Sequence, residues 1–277
     1  MIIDSHQHFW QVGRFDYPWM STENEVLYRD YLPEMLEPTL RNSGVSKTVL
    51  VQASNSIAES HWLLDLADTY PFIAGVVGWI DLKSSAVDQQ LDELSKRSGL
   101  KGIRHLVESE PEDDWLVQRE VVRGLERLSA HGLSYDLLVH TRHLKYAKQL
   151  LEQLPDLAFV LDHMAKPPIA KGEIEEWSKA LAPLAAHQNL YCKLSGLVTE
   201  ASWSSWTTET LRPYVDTALK LFGSERLMFG SDHPVCLLSA SYERVLDSFR
   251  ELLSDLSSED LDCIFFSNAA RFYRLSL

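Results

Sequence analysis

The chain has 277 residues, 45% of them hydrophobic and 24% charged, a balance that supports a sizeable folded core and excludes a disordered chain. Its 40 acidic residues outnumber 26 basic ones, giving a formal net charge of -14, which excludes nucleic acid as a partner because phosphate backbones are held by surplus Lys and Arg. No apolar run approaches the roughly 20 residues that span a bilayer, no basic and apolar leader is apparent, and Cys192, Cys236 and Cys263 show no CxxC spacing. The expectation is a cytoplasmic protein without membrane contact, disulfide framework or cysteine-based zinc site.

The first candidate strand is IIDSH, at residues 2 to 6, running into QHFW. Side chains two apart share one face of a strand, so His6, His8 and Asp4 are expected on one surface. Such a pair is either a ligand pair or a packed, backbone-bonded one, and its spacing does not decide between them. Further strands follow at TVLVQA (48 to 53), FIAGVVGW (72 to 79), LKGIRHL (100 to 106), LSYDLLVH (133 to 140), LAFVLDHM (157 to 164), NLYCKLSG (189 to 196) and RLMFGSD (226 to 232). Helical periodicity fills most of the intervals: SIAESHWLLDLADTY, SSAVDQQLDELSKR, VQREVVRGLERLSAHG, TRHLKYAKQLLEQL, IEEWSKALAPLAAH and ETLRPYVDTALKLFG. SYERVLDSFRELLSDL and a C-terminal helix end the series. Strict strand and helix alternation means parallel strands with right-handed crossovers. Eight such units predict an α/β fold, matching a (β/α)8 TIM barrel forming one domain over residues 1–277 better than the alternative that alternation also allows, a doubly wound open sheet. No GxGxxG or GxxxxGK[ST] loop points to a nucleotide fold.

Chemistry in such a barrel sits at the C-terminal ends of the strands. Those ends carry His6 and His8, Arg104 and His105, His140, Asp162 and His163 with Lys166 just beyond, Lys193 and Ser195, and Asp232 with His233. His6, His8, His163 and Asp232 are the candidate catalytic group. Asp162 and His163 are neighbours, so strand alternation lets only one of them face the mouth. Lys193 is read as a side chain reaching solvent. His61, His131, His140, His143 and His187 fall at helix starts or on helix faces and are read as capping or solvated.

The segments IIDSHQHFW, KGIRHLVESEPEDDWL, SYDLLVH, FVLDHMAKPPI, LYCKLSGLVTEASWSSW and RLMFGSDHPVC together resemble the amidohydrolase superfamily, and within it the sugar-lactone hydrolases that include L-fuconolactonases and L-rhamnono-lactonases. The resemblance implies a hydrolase opening a sugar-acid lactone, with a small molecule as its partner, as a monomer or homodimer. No Lys or Glu stands where two-metal members bridge their ions, so a binuclear site is not expected. The cofactor expectation is none strictly required, or one divalent metal, zinc foremost, held by His6, His8, His163 and Asp232. His233 stands where the branch usually has Trp.

Ester hydrolysis needs a base for water and donors for an oxyanion. Asp232 is assigned the first role, and His6, His8 and His163 the second. Arg104, His105, Trp10, Trp203, Trp206 and His233 are candidate substrate contacts, with Trp19 a further possible wall. Two other readings remain: a metal-dependent decarboxylase, hydratase or 2-pyrone-dicarboxylate-type lactonase, which calls for clustered arginines, and a non-catalytic ligand-binding barrel.

Overall fold

The computed structural model describes residues Met1–Leu277. All eight expected strands form: β1 (Ile3–Gln7), β2 (Lys47–Val51), β3 (Ile73–Gly78), β4 (Leu100–His105), β5 (Ser134–Leu137), β6 (Phe159–Leu161), β7 (Leu190–Leu194) and β8 (Leu227–Phe229). They pair in parallel, in sequence order, in one sheet. The seam closes beyond β8, where Asp232 N–H donates to the His6 carbonyl at 2.8 Å and His8 N–H to the His233 carbonyl at 2.7 Å. Helices α1 (Pro33–Ser43), α2 (Ile57–Thr69), α3 (Val87–Leu94), α4 (Arg119–Ala130), α5 (Leu144–Gln153) and α6 (Glu175–Ala185) follow the first six strands. A short α7 (Leu197–Glu200) and α8 (Thr208–Phe222) follow β7, α9 (Tyr242–Leu252) follows β8, and α10 (Ser258–Asp262) and α11 (Asn268–Phe272) end the chain. No helix is long and apolar enough to cross a membrane.

Helix α1 is absent from the sequence reading. Pro33 at its first turn and Pro38 inside it mask the periodicity, while Leu36 and Leu40 bury its inner face. Gly44 closes it in the left-handed conformation, φ 73°.

Alternation along the strands sorts the barrel interior into layers. Ile3, Val49, Val51, Val77, Val160 and Met228 make an apolar floor with Ala269, Phe272 and Tyr273 of the C-terminal segment. Above it lie buried charges, and above those the mouth. Along β1 the register slips between Asp4 and Gln7. This slip corrects the expectation that Asp4 shares a face with the two histidines. Asp4 accepts from the Ser231 backbone and hydroxyl and from Tyr242 on α9, while His6 and His8 turn inward.

Candidate active site

The imidazoles of His6, His8 and His163 and the carboxylate of Asp232 meet at the mouth. His6 Nε2 lies 3.1 Å from His8 Nε2, and Asp232 Oδ1 lies 3.8, 3.5 and 3.8 Å from the Nε2 atoms of His6, His8 and His163. All four residues are buried. His8 Nδ1 is 2.8 Å from the Val51 carbonyl, which can only accept, so the proton sits on Nδ1 and Nε2 is a bare lone pair. His163 Nδ1 is fixed by Ser195 Oγ at 2.8 Å.

The tautomer of His6 is contested. Arg104 Nη1, 3.3 Å from Nε2, can only donate, and Asp162 Oδ1, 3.3 Å from Nδ1, can only accept, so both favour a proton on Nδ1. Lys193 Nζ, 3.1 Å from the same Nδ1, opposes them. With the proton on Nδ1, two bare Nε2 lone pairs face each other beside a carboxylate, an arrangement a divalent cation satisfies. The separations of 3.1, 3.5 and 3.8 Å among His6, His8 and Asp232 bracket the edge of about 3.3 Å that follows from tetrahedral bonds of about 2.0–2.1 Å. His6, His8 and Asp232 therefore fit such an ion, and His6, Asp162 and His163 form a second possible trio around the shared His6.

Burial pushes the imidazoles of His6, His8 and His163 below their ordinary value of 6.5, so all three are neutral at pH 7. Burial pushes the Asp232 carboxyl up, but the positive charge that His163, His8 and His6 take on when protonated in acid outweighs it, so the carboxyl stays below the usual range and is ionised throughout the range in which the imidazoles are neutral. An ionised carboxylate thus sits among neutral imidazoles.

Asp162 and His163 both point into the barrel, against the alternation expected of them. The strand ends at Leu161, and His163, Met164, Ala165 and Lys166 follow with φ of 52°, 54°, 60° and 51°, a left-handed turn in which strand parity has no meaning. Lys193 does not reach solvent. It is fully buried, with Nζ 2.6 Å from Asp136 Oδ2 and 3.0 Å from Asp162 Oδ1. Sequence parity carried this signal, since Lys193 shares an inward face with Ser195.

The cavity above this floor has a volume of about 100 Å³ and is lined by His8, Arg104, His163 and Asp232 together with Trp19, Ala53, Leu106, Glu108, Leu138, Lys166, Gly196, Thr199, Glu200 and Val235. That is room for several ordered waters or one small ring. Glu108, Thr199 and Glu200 were not among the sequence candidates. His6 is not part of the lining, and five of the six candidate substrate contacts also lie outside it. His105 follows Arg104, so β4 turns it outward, where it stacks on Trp115 at 4.0 Å and bonds Trp79 and Glu110. His233 follows Asp232 and sits edge-on between Tyr31 and Tyr242. Trp10 is buried under the loop after β1, donating to the Leu27 and Arg29 carbonyls. Trp206 donates to Ser239 with Arg244 over its ring, and Trp203 is 51% exposed. Arg104 lines the cavity, but its Nη1 is bonded to Asp162 and its Nη2 to the Gln52 carbonyl.

Fold and site together define a barrel enzyme with three imidazoles and a carboxylate gathered at the strand ends. The chain belongs to the amidohydrolase family, whose pattern matches residues 3–275. It is 38% identical to an L-fucono-1,5-lactonase of Burkholderia ambifaria, over 99% of this chain and 95% of that protein. An L-fucono-1,5-lactonase of Burkholderia multivorans is likewise 38% identical, over 99% of this chain and 96% of its own. A crystal structure of an amidohydrolase from Burkholderia multivorans with bound zinc superposes with a TM-score of 0.95 at 37% identity, covering all of both chains.

Proposed function

We propose that this protein hydrolyses a sugar-acid lactone of the L-fucono-lactone type to the aldonate, with Asp232 as general base. The observation that carries the reading is the ionised Asp232 carboxylate held among three neutral imidazoles at the mouth of a small cavity. Asp232 takes a proton from water as its oxygen adds to the lactone carbonyl carbon. His163 lines the space where the carbonyl oxygen becomes an oxyanion, and its Nε2 carries the proton to donate there when the Ser195 hydroxyl donates to Nδ1; His8, whose Nε2 is a bare lone pair, is no oxyanion donor. Collapse breaks the bond to the ring oxygen, which leaves with the proton returned by Asp232. Water is thereby added across one C–O bond, and the new carboxylic acid ionises.

His6, His8 and Asp232 would hold one divalent cation, zinc being suited to two nitrogens and a carboxylate; when bound, it would acidify water and polarise the carbonyl. The zinc-bound relative supports this choice. The dicarboxylate and decarboxylase readings lose support because Arg104 is the single arginine of the lining and is already engaged.

Asp232→Asn preserves shape and removes the base. A fall in kcat on L-fucono-1,5-lactone of about 10²- to 10⁴-fold is expected, with unchanged circular dichroism; near-normal turnover would sink the assignment. Metal analysis after zinc loading and desalting is expected to give one zinc per chain, lost in His8→Ala. Two per chain would contradict a single site.

A further inference from the structure

The cavity has two unlike sides. Trp19, Ala53 and Val235 come from the loops after β1, β2 and β8, which are neighbours across the closed seam. Glu108, Lys166 and Glu200 come from the loops after β4, β6 and β7, on the opposite arc of the barrel, where Leu106 and Leu138 are the apolar neighbours and every ionisable residue of the lining other than His8 and Asp232 is found. Lys166 Nζ lies 2.5 Å from Glu108 Oε2, with His140 Nε2 behind at 3.5 Å. The carboxylate of Glu200, half-buried at the end of α7, makes no hydrogen bond within the protein.

We propose that Glu108, Lys166 and Glu200 form the specificity face that recognises the ring hydroxyls of a polyhydroxylated, uncharged lactone. The inference rests on the hydrolase reading above and concerns the part of the substrate away from the reacting carbonyl. A sugar lactone has a C–H face and an edge of hydroxyls. The apolar arc meets the first, and the charged arc meets the second with two carboxylates that accept and one ammonium that donates. The sum of these three charges is negative, so an anionic lactone is disfavoured. The position of Lys166 follows from the left-handed turn, which directs His163 and Lys166, three residues apart, into one cavity.

Burial pushes the Glu108 carboxyl up, but Lys166 outweighs it and holds it below the usual range. Burial, aided by Glu108 and Asp232, pushes Glu200 up against the pull of Lys166. Glu108 is therefore the firm anion, and Glu200 is the acceptor left open for a ligand.

The test compares kcat/KM for L-fucono-1,5-lactone with that for δ-valerolactone, which lacks hydroxyls, in the wild type and in Glu200→Gln, Glu108→Gln and Lys166→Met. The wild type is expected to prefer the sugar lactone, and each variant to lower the preference ratio by about 10- to 100-fold, the span of one charged hydrogen bond. Glu200 has no internal partner, so its variant stays informative even if the ion-pair variants misfold. Ratios at the wild-type value in the folded variants, whatever the absolute rates, overturn the proposal. So does a wild type that opens both lactones equally well, which leaves the hydrolase reading standing. A wild type that opens neither lactone overturns both.

Discussion

Glu59 is fully buried on α2 and accepts from the backbone N–H groups of Ala53 and Ser54 through a single oxygen, Oε2, at 3.1 and 2.8 Å. Those bonds tie down the loop whose Ala53 carbonyl receives Trp19 Nε1 at 2.7 Å, so a residue far from the chemistry shapes the cavity wall. Burial raises its carboxyl from 4.5 to about 8. The folded chain therefore holds a proton that the unfolded chain releases between those values. The stability this group contributes is complete below pH 4.5 and is lost as the pH rises through about 8. Glu59→Gln keeps one oxygen for both backbone donors and removes the charge. Its urea-unfolding free energy is expected to be flatter than that of the wild type between pH 6 and 9, and more favourable at pH 9, by on the order of a few kcal/mol. A parallel decline in both proteins would refute this. At the mouth the sign is simpler. His6, His8 and His163 are all shifted below 6.5, so kcat/KM is expected to stay level down to that pH and fall only below it. An acid limb at or above 6.5 would count against neutral imidazoles as the working form.

The turn after β6 is the element that converts a strand end into an active site. Four consecutive non-glycine residues in the left-handed region cost roughly 1–2 kcal/mol each. Trp177 Nε1 holds the Met164 carbonyl at 2.7 Å, the Lys166 N–H closes on the His163 carbonyl at 2.8 Å, and Pro167 follows. Across from it, Gly196 has φ 66°, and a Cβ there would lie 2.6 Å from His163 Nδ1. Gly196→Ala is expected to displace the imidazole and lower kcat on the order of 100-fold, with a stability loss of about 1–2 kcal/mol. Wild-type kcat would show that the ring has room to move. The eight strands and most of the helices were legible because periodicity of 2 and 3.6 survives in a single sequence. The left-handed turn was not, since nothing in DHMAKPP requires it and glycine, its usual marker, is missing. Parity therefore misplaced the Asp162 and His163 pair, and the reading of both Arg104 and His105 as substrate contacts overlooked it, since alternation along β4 turns His105 away from the cavity. The tryptophans were recognisable as loop residues, but which of them lines the cavity depends on loop packing, and Trp19 does so where Trp10 does not.

At the scale of the whole barrel, the interior between the apolar floor and the mouth is occupied by Arg104, Lys193, Asp136 and Asp162, two cations against two carboxylates, around a neutral His6. The chain's last segment closes this interior from below. Tyr273 O–H donates to Asp136 Oδ2 at 2.7 Å, so the C-terminus, Asp136, Lys193 and His6 form one connected path to the site. The strand pattern announced Arg104, Asp162 and Lys193 but not Asp136, and their neighbours depend on closing the ring, because β4, β5, the turn after β6 and β7 each contribute one member. Burying charges without water is costly, and a balanced set survives only while each member has its partner. Lys193→Met removes one cation and leaves Asp136 and Asp162 facing each other in a dry interior. A loss of about 3–5 kcal/mol in urea unfolding is expected. Adding Asp136→Asn restores the balance of one cation against one carboxylate, Arg104 with Asp162, and is expected to recover part of the loss although it deletes a further ionic group. A double variant less stable than Lys193→Met alone would mean that each contact stabilises separately, and that charge balance is not what this layer requires.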